Sequence, residues 1–399
     1  MNSIAIIDII GLTYDGSTLS KRGLGGSESA VILISKELQK QGFNVTVFNN
    51  CIDNDCSEGI YDGVNYLDLS RLETEREHKY DIVISSRTVI PFVAEKHWTT
   101  FGNDIVNHGH PHPFLFKNLK INAKLKIVWM HDTFCRGDHL IEEMLLEGDI
   151  DELFTLSDFH TSYVTNCDHG RKRNFEVLKN KIFLTRNGIQ KHKNYVDISQ
   201  KDPDLFVYNS SVTKGMVPLV ENIWEKIKKK IPSAKLKVIG GFYRFKNSEP
   251  DEQEKKWRQM IAEPKYKNLD IEFTGIIRQD EIAEILSKAS FMIYPPEFPE
   301  TFGISSLESL YYNTPLISSK FGALEETAVE KACWLIHYPI KPNGLFPFIN
   351  AEEQERKFID IVLNAHSDKY LHQQKMYYCN IVKDICGWDS VALQWKQHL

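Results

Sequence analysis

Two glutamates eight positions apart, Glu300 and Glu308, stand in the stretch FMIYPPEFPETFGISSLESLYYNTPLISSKFGALEE. Strand, proline-rich loop, helix, strand and glycine-containing turn follow one another there. Glu300 falls in the loop and Gly303 opens the helix, so Glu308 lies about 7.5 Å further along the axis at 1.5 Å per residue. One carboxylate can meet one end of an extended ligand and the second its other end. Glu308 shares a helix stripe with Ile304, Leu307 and Tyr311, the face expected to turn inward. A carboxylate there needs donors, because an unpaired buried charge is costly, and a ribose diol would supply them. The plainer alternative pairs Glu308 with a lysine at the stripe's edge and makes Glu300 an acid favoured by the helix macrodipole. Spacing alone leaves both open.

Other residues could act nearby. In RGLGGSESAVILISKELQKQGFNVTVF, Gly25 and Gly26 let a backbone come close to a phosphate or sugar, and the helix after them offers amides to an anion. A dinucleotide fingerprint fails: Glu28 stands where its third glycine should, and about a dozen residues separate the first strand from the glycines. His131 and Asp132 in WMHDTF follow a strand directly; the plain alternative is a histidine held by neighbouring backbone. His108, His110 and His112 offer imidazoles to a transition metal, yet alternation with Gly and Pro and the lack of an adjacent acidic or Cys ligand describe a loop. Lys226, Lys228, Lys229 and Lys230, like Arg171, Lys172 and Arg173, read as solvated charges.

These residues need a scaffold, and the chain writes one. Short apolar runs (IAIIDII, FNVTVF, YDIVISS, KIVWMHD, LFTLS, KIFLTRN, then DLFVYN, KLKVIGG, IEFTG, FMIYPP, PLISS) alternate with amphipathic helical stretches. That is the grammar of parallel sheets covered by helices, an α/β fold. A length of 399 residues exceeds one ordinary core. The polar stretch 193 to 204 is the linker candidate, placing a boundary near 200. The tail carries Tyr370, Tyr377, Tyr378, Trp388 and Trp395, too apolar to float, and is expected to pack across an interface. Ligands bind beyond the carboxyl ends of strands in such sheets, so a cleft between two domains is expected.

Composition excludes several classes. With 48 Lys+Arg against 54 Asp+Glu the net charge is -6, which gives no broad footprint for duplex nucleic acid. The start, MNSIAIIDII, lacks a positive n-region and reads as a buried strand, not a signal peptide. No apolar run approaches the roughly 18 residues of a membrane span. Seven cysteines without a CxxC pair suggest neither a disulfide framework nor structural zinc, and fit a reducing cytoplasm.

Glu-x7-Glu with E-T-F-G after a strand ending in Pro-Pro, followed by N-T-P-L-I and F-G-A-L-E-E, resembles the donor-site signature of retaining glycosyltransferases of the GT-B fold, family 4. The Gly25–Gly26 loop with its helix and strand is similar to the family's amino-terminal segment. The resemblance implies two Rossmann-like doubly wound parallel-sheet domains facing a central cleft: residues 1–200 for the acceptor, 201–370 for the nucleotide-sugar donor, and a helical tail, 371–399, packing back across the interface. It implies that Glu300 binds donor-sugar hydroxyls, that the amides of Phe302, Gly303 and Ile304 approach sugar and diphosphate, and that Glu308 holds the ribose. It further assigns His131 to the donor sugar, Lys214 before Gly215 to the diphosphate, and the neighbourhood of Gly275 to Ile277 to the base.

There are departures. The family's usual arginine five residues before the lysine is Asn209, followed by Ser210 and Ser211, which resemble a Ser-Ser variant of this segment and bring hydroxyls without charge. Asn313 replaces a common glycine, and a helix-terminal Asn can adopt the same left-handed conformation. The resemblance implies a retaining, metal-independent transferase that moves a sugar from a nucleotide diphosphate sugar, UDP- or GDP-linked first, to a hydroxyl of a glycan, lipid-linked or other acceptor. No cofactor and no nucleic acid partner are expected, and the location is cytoplasmic, with peripheral attachment to the inner face of a membrane the variant that lipid-linked acceptors suggest. The alternatives are a GT-B sugar phosphorylase, another nucleotide-sugar processing enzyme and a non-catalytic nucleotide-sugar or glycan-binding scaffold.

Overall fold

The structure is a computed structural model describing residues 2–53, 55–74, 79–94, 96, 121–133, 135, 137–166, 175–192, 197–242, 252–338, 351–384 and 386–399. The chain forms two compact units, Met1–Gly188 with Trp388–Leu399, and Ile189–Gly387. His108, His110, His112, Arg171, Lys172 and Arg173 lie outside the described residues.

In the first unit eight strands form one sheet: β1 (Ser3–Asp8), β2 (Asn44–Asn49), β3 (Gly59–Tyr61), β4 (Val64–Asp68), β5 (Tyr80–Ser86), β6 (Ala123–Trp129), β7 (Glu152–Thr155) and β8 (Ile182–Leu184). Their order is β3-β4-β2-β1-β5-β6-β7-β8, parallel throughout except for β3 on β4. Five of six residues of β1 are buried, as the apolar run SIAIID requires when both faces of a strand are covered. Strand order reverses between β1 and β5, so the carboxyl ends of these two strands flank a crevice where α/β sheets bind ligands. Asp8 and Ser86 end them.

The hairpin β3–β4 was not expected from the sequence. Tyr61 pairs with Val64 around Asp62 and Gly63, whose φ angles of 51° and 81° are the two positive values of a type I′ turn.

The second unit carries β9 (Asp202–Asn209), β10 (Lys235–Ile239), β11 (Ile271–Gly275), β12 (Ala289–Ile293), β13 (Leu316–Ser319) and β14 (Cys333–Ile336), all parallel, in the order β11-β10-β9-β12-β13-β14. The reversal falls between β9 and β12. β9 begins inside the polar stretch expected as linker because Lys201 is buried there. Its ammonium donates to the carbonyls of Leu286 (2.9 Å) and Ala289 (2.7 Å) and to the Thr314 hydroxyl (2.8 Å), closing the end of the Gln279–Lys288 helix. Phe206 and Phe291 stack at 4.7 Å in the core beside it.

The tail divides. Its last helix, Trp388–His398, belongs to the first unit, where Trp395 donates Nε1–H to Thr185 Oγ1 (2.6 Å) and meets the rings of Trp129 and Phe154 edge-on, each at 5.0 Å. The Lys369–Tyr378 helix stays in the second unit, where Tyr370 and Tyr377 are 73% and 70% exposed. A phenol keeps its hydroxyl in water more readily than the larger indole, and the two tryptophans take the core. No helix among the described residues is long and apolar enough to cross a membrane.

Candidate functional site

In the second unit the carboxyl ends of β9 and β12 bring four polar side chains toward the helix Ile304–Tyr311. β9 ends in Asn209, and its side-chain amide donates to Glu308 Oε2 at 3.2 Å. Glu308 is 7% exposed, and burial pushes its carboxyl up to about 7 against the smaller lowering by that amide. The helix buries Ser306 through Leu310, while Ile304 and Tyr311 are half-buried, so the inward face is wider than the stripe read from the sequence.

Glu300 is held by two donors. Lys214 Nζ stands 2.9 Å and 3.1 Å from its two carboxylate oxygens, and Tyr294, which follows β12, donates its hydroxyl to Oε1 at 2.5 Å. Burial and the Glu300 charge hold the Tyr294 phenol well above its ordinary value, so it remains a donor at any ordinary pH. The backbone of Glu300 is fixed as well: Ala323 N–H donates to its carbonyl at 2.7 Å, and a Cβ on Gly322 would stand 2.5 Å from that oxygen. That close approach explains the glycine of F-G-A-L-E-E.

Lys214 is placed by the glycine after it. Gly215 has φ +112°, and a Cβ there would meet the Pro295 carbonyl oxygen at 1.8 Å, so the Lys214 turn lies directly on the Pro295–Pro296 loop that leads to Glu300. Gly303, at φ +83°, opens the Ile304–Tyr311 helix and takes Ser306 N–H on its carbonyl at 3.0 Å. Phe302 beside it is buried. Ser211 carbonyl accepts the Tyr208 hydroxyl at 2.7 Å, its own hydroxyl pairs with Thr213, and Ser210 stands beside the Tyr208 and Tyr294 phenols. Ile277 packs half-buried against the cluster of Leu205, Val207 and Ile239. Asn313 is left-handed at φ 54°, as expected, and its side chain ties Met376 carbonyl (2.7 Å) to Lys383 (2.8 Å).

The first unit holds the remaining candidates. His131 follows β6, is 5% exposed, and lies on the Trp129 ring at 4.1 Å. Burial first, then the Arg87 charge, hold its imidazole neutral, well below the ordinary value. The next peptide is pinned by His160: Leu156 N–H donates to Nδ1 (3.2 Å), which leaves the proton on Nε2 to donate to the Asp132 carbonyl (2.9 Å). Gly25 caps the Gly26–Lys40 helix in extended conformation.

Residues 179–375 match the family described as glycosyl transferases group 1. That region, just under half of the chain, carries the family match. A stretch of 123 residues is 26% identical to the uncharacterized glycosyltransferase MJ1607 of Methanocaldococcus jannaschii, covering 31% of this chain and 30% of that relative's length. Among solved structures it is similar to sucrose-phosphate synthase from Thermosynechococcus elongatus (16% identity, 100% of this chain and 98% of that one, TM-score 0.65). It is also similar to the catalytic domain of starch synthase IV from Arabidopsis thaliana bound to ADP and acarbose (14%, 100% and 98%, TM-score 0.63). A third is Anabaena Alr3699/HepE in complex with UDP and glucose (13%, 100% and 99%, TM-score 0.61). The fold of the chain is GT-B, two parallel-sheet α/β units.

Three features escaped the sequence reading. Tyr294 was visible only as the last aromatic of FMIYPP. Asn209 read as a lost arginine and turns out to serve Glu308. Glu28 counted only against a dinucleotide fingerprint, yet its carboxylate pairs with Arg87 at 3.0 Å.

Proposed function

We propose that the chain is a retaining, metal-independent glycosyltransferase that moves a sugar from a nucleoside diphosphate sugar, UDP- or GDP-linked first, to a hydroxyl of a glycan or lipid-linked acceptor. The observation that carries this reading is the pair of buried carboxylates flanking the Gly303 helix start, Glu300 on Lys214 and Tyr294, and Glu308 on Asn209, inside the region that matches the family. The Anabaena and Arabidopsis proteins of similar fold are bound to UDP and ADP, which supports a nucleoside diphosphate as the donor's leaving group.

On this reading the donor occupies the second unit. Glu308 takes the ribose hydroxyls in place of part of its missing hydrogen bonding. The Gly303 helix start and Lys214 face the diphosphate, whose charge grows as the glycosidic bond breaks, and fixed donors aimed at developing charge are the main source of such catalysis. Glu300 accepts hydroxyls of the transferred sugar and stabilises positive charge at its anomeric carbon. The leaving phosphate oxygen takes the acceptor proton on the same face. His131, neutral, contacts the sugar from the first unit, which takes the acceptor.

The test is thermal stability of the pure protein against UDP, GDP, ADP, CDP and dTDP, with Glu308→Ala alongside, followed by transfer assays in EDTA. A ligand at 100 times its dissociation constant stabilises by about 2.7 kcal/mol, a readable shift. Stabilisation of the parent by one nucleotide and not of the variant, with EDTA-insensitive transfer, is the expected result. Nucleotide binding without transfer to any acceptor would favour the scaffold instead, and phosphorolysis the phosphorylase.

A further inference from the structure

At the carboxyl edge of the first sheet one guanidinium joins two buried carboxylates. Arg87 follows β5, and its Nη2 donates to Asp8 Oδ1 (3.2 Å), at the end of β1, and to Glu28 Oε1 (3.0 Å), in the first turn of the Gly26–Lys40 helix. The side chains of Arg87, Asp8 and Glu28 are 12%, 0% and 6% exposed, so solvent screens these pairs little.

The segment 9–25 closes on the same carboxylates. Leu12 N–H donates to Glu28 Oε1 (3.1 Å) and the Tyr14 hydroxyl to Asp8 Oδ2 (2.9 Å). A Cβ on Gly11 would stand 2.4 Å from Asp8 Oδ2, and one on Gly25 would stand 2.3 Å from Glu28 Oε2. The space beside Gly25 is therefore filled by the chain's own carboxylate, which Arg87 keeps in place. Arg87 itself sits at φ +65°, a left-handed conformation that bulky residues rarely adopt, and its N–H donates to the Trp129 carbonyl at 2.9 Å, two residues before His131. A buried ion pair adds little stability over apolar packing of the same volume, and backbone strain concentrates at working sites. This one lies where strand order reverses, the position at which such sheets bind ligands.

We propose that Arg87 is a positioning residue for the transfer reaction: its guanidinium clamps Asp8 to Glu28 and so holds the Gly25–Gly26 turn in one working geometry beside the His131 strand end, which its backbone N–H already bonds. The inference rests on the proposed function only in assigning Gly25, Gly26 and His131 to substrate.

Arg87→Met and Arg87→Lys are compared with the parent and with Arg71→Met, which removes an exposed arginine paired with Glu58 in the same unit. In Arg87→Met, kcat at saturating donor falls about 100-fold, the loss expected of a misplacement near 1 Å, while nucleotide affinity stays within about twofold because that group is assigned to the second unit. Hydrogen exchange of the amides between 9 and 25 speeds up, and exchange in the second unit does not. Lysine keeps the charge without the fork, so Arg87→Lys recovers at most about tenfold, and Arg71→Met stays within about twofold of the parent. If Arg87→Met does not fold, the lysine variant decides by the same readouts. A folded variant with kcat within about threefold of the parent overturns the proposal, as does a kcat loss with exchange between 9 and 25 unchanged. A parent that transfers no sugar is a failure of the proposed function instead, and faster exchange between 9 and 25 in the variants would still support the clamp.

Discussion

Asn209 donates its side-chain amide to Glu308 at 3.2 Å, so the position where the resemblance marks a missing arginine supplies a neutral donor to a buried carboxylate. An arginine there would hold Glu308 ionised at all working pH values. An amide leaves it poised, since burial pushes its carboxyl up to about 7. The departure changes the charge of the site without emptying it.

Stability should report this. The folded-state value of Glu308 lies above its ordinary 4.5, so its contribution is fully present below pH 4.5 and is lost as pH rises toward about 7. Glu308→Gln is therefore expected to match the parent near pH 4 and to exceed it above pH 7.5, by up to about 3 kcal/mol at 1.36 kcal/mol per pKa unit. Urea unfolding at both pH values checks it. A parent that outlasts the variant at high pH would mean that Glu308 is ionised and well paired.

Lys214 and Glu300 should behave as one unit. Removing the lysine leaves a carboxylate that is 8% exposed with the Tyr294 hydroxyl as its remaining side-chain donor among the described residues, whereas changing both leaves no charge uncompensated. Lys214→Met should cost about 1–3 kcal/mol, nearer the lower figure because the lysine is itself partly exposed, and Lys214→Met with Glu300→Gln should cost less than the single change. The same pair separates binding from turnover. Glu300→Gln is expected to lower kcat more than nucleotide affinity, and Lys214→Met to weaken UDP or GDP far more than the bare nucleoside. Equal losses for nucleotide and nucleoside would remove the diphosphate from Lys214.

Much of this was legible in the residues. Each of the eleven apolar runs read as a strand overlaps one, because strands buried on both faces are written as continuous Val/Ile/Leu/Phe. The hairpin β3–β4 was missed although Asp62-Gly63 is a strong turn signal, since its strands, GIY and VNYLD, are short and Asn65 interrupts the second. β14, CWLI, was not read as a strand although it is as long as β7 and β13. Glu300 and Glu308 were singled out by spacing and by resemblance, and both are buried. The Asp8, Arg87 and Glu28 cluster was not, because its members come from three elements far apart in sequence and meet only when β1 and β5 pair. No local pattern encodes a contact of that range.

Glycine conformation offers a paired test within the second unit. Gly215 and Gly275 both have positive φ, +112° and +72°, but a Cβ at Gly215 would meet the Pro295 carbonyl oxygen at 1.8 Å, and at Gly275 nothing lies within 4 Å. Gly275→Ala should therefore cost only the left-handed strain, about 1–2 kcal/mol. Gly215→Ala adds displacement of backbone and should exceed it clearly, shifting the loop before Glu300 and lowering kcat. Similar melting temperatures for the two variants would show that the Lys214 turn is not pressed against Pro295.

His160 provides the last test, of a proton's location. Leu156 N–H aims at Nδ1, so the ring must carry its proton on Nε2, where it donates to the Asp132 carbonyl beside His131. A proton added to Nδ1 would face that N–H directly. Burial accordingly holds the imidazole down at about 4. Because the folded value lies below the ordinary 6.5, the contribution to stability is complete above pH 6.5 and is lost as pH falls toward 4. Nitrogen-15 spectra of the imidazoles should give His160 as the neutral Nε2–H form down to pH 5, and His160→Gln should flatten the fall in stability between pH 6.5 and 4.5. The neutral Nδ1–H tautomer at pH 7 would take the His160 donor away from the Asp132 carbonyl, and the fixed placement of His131 with it.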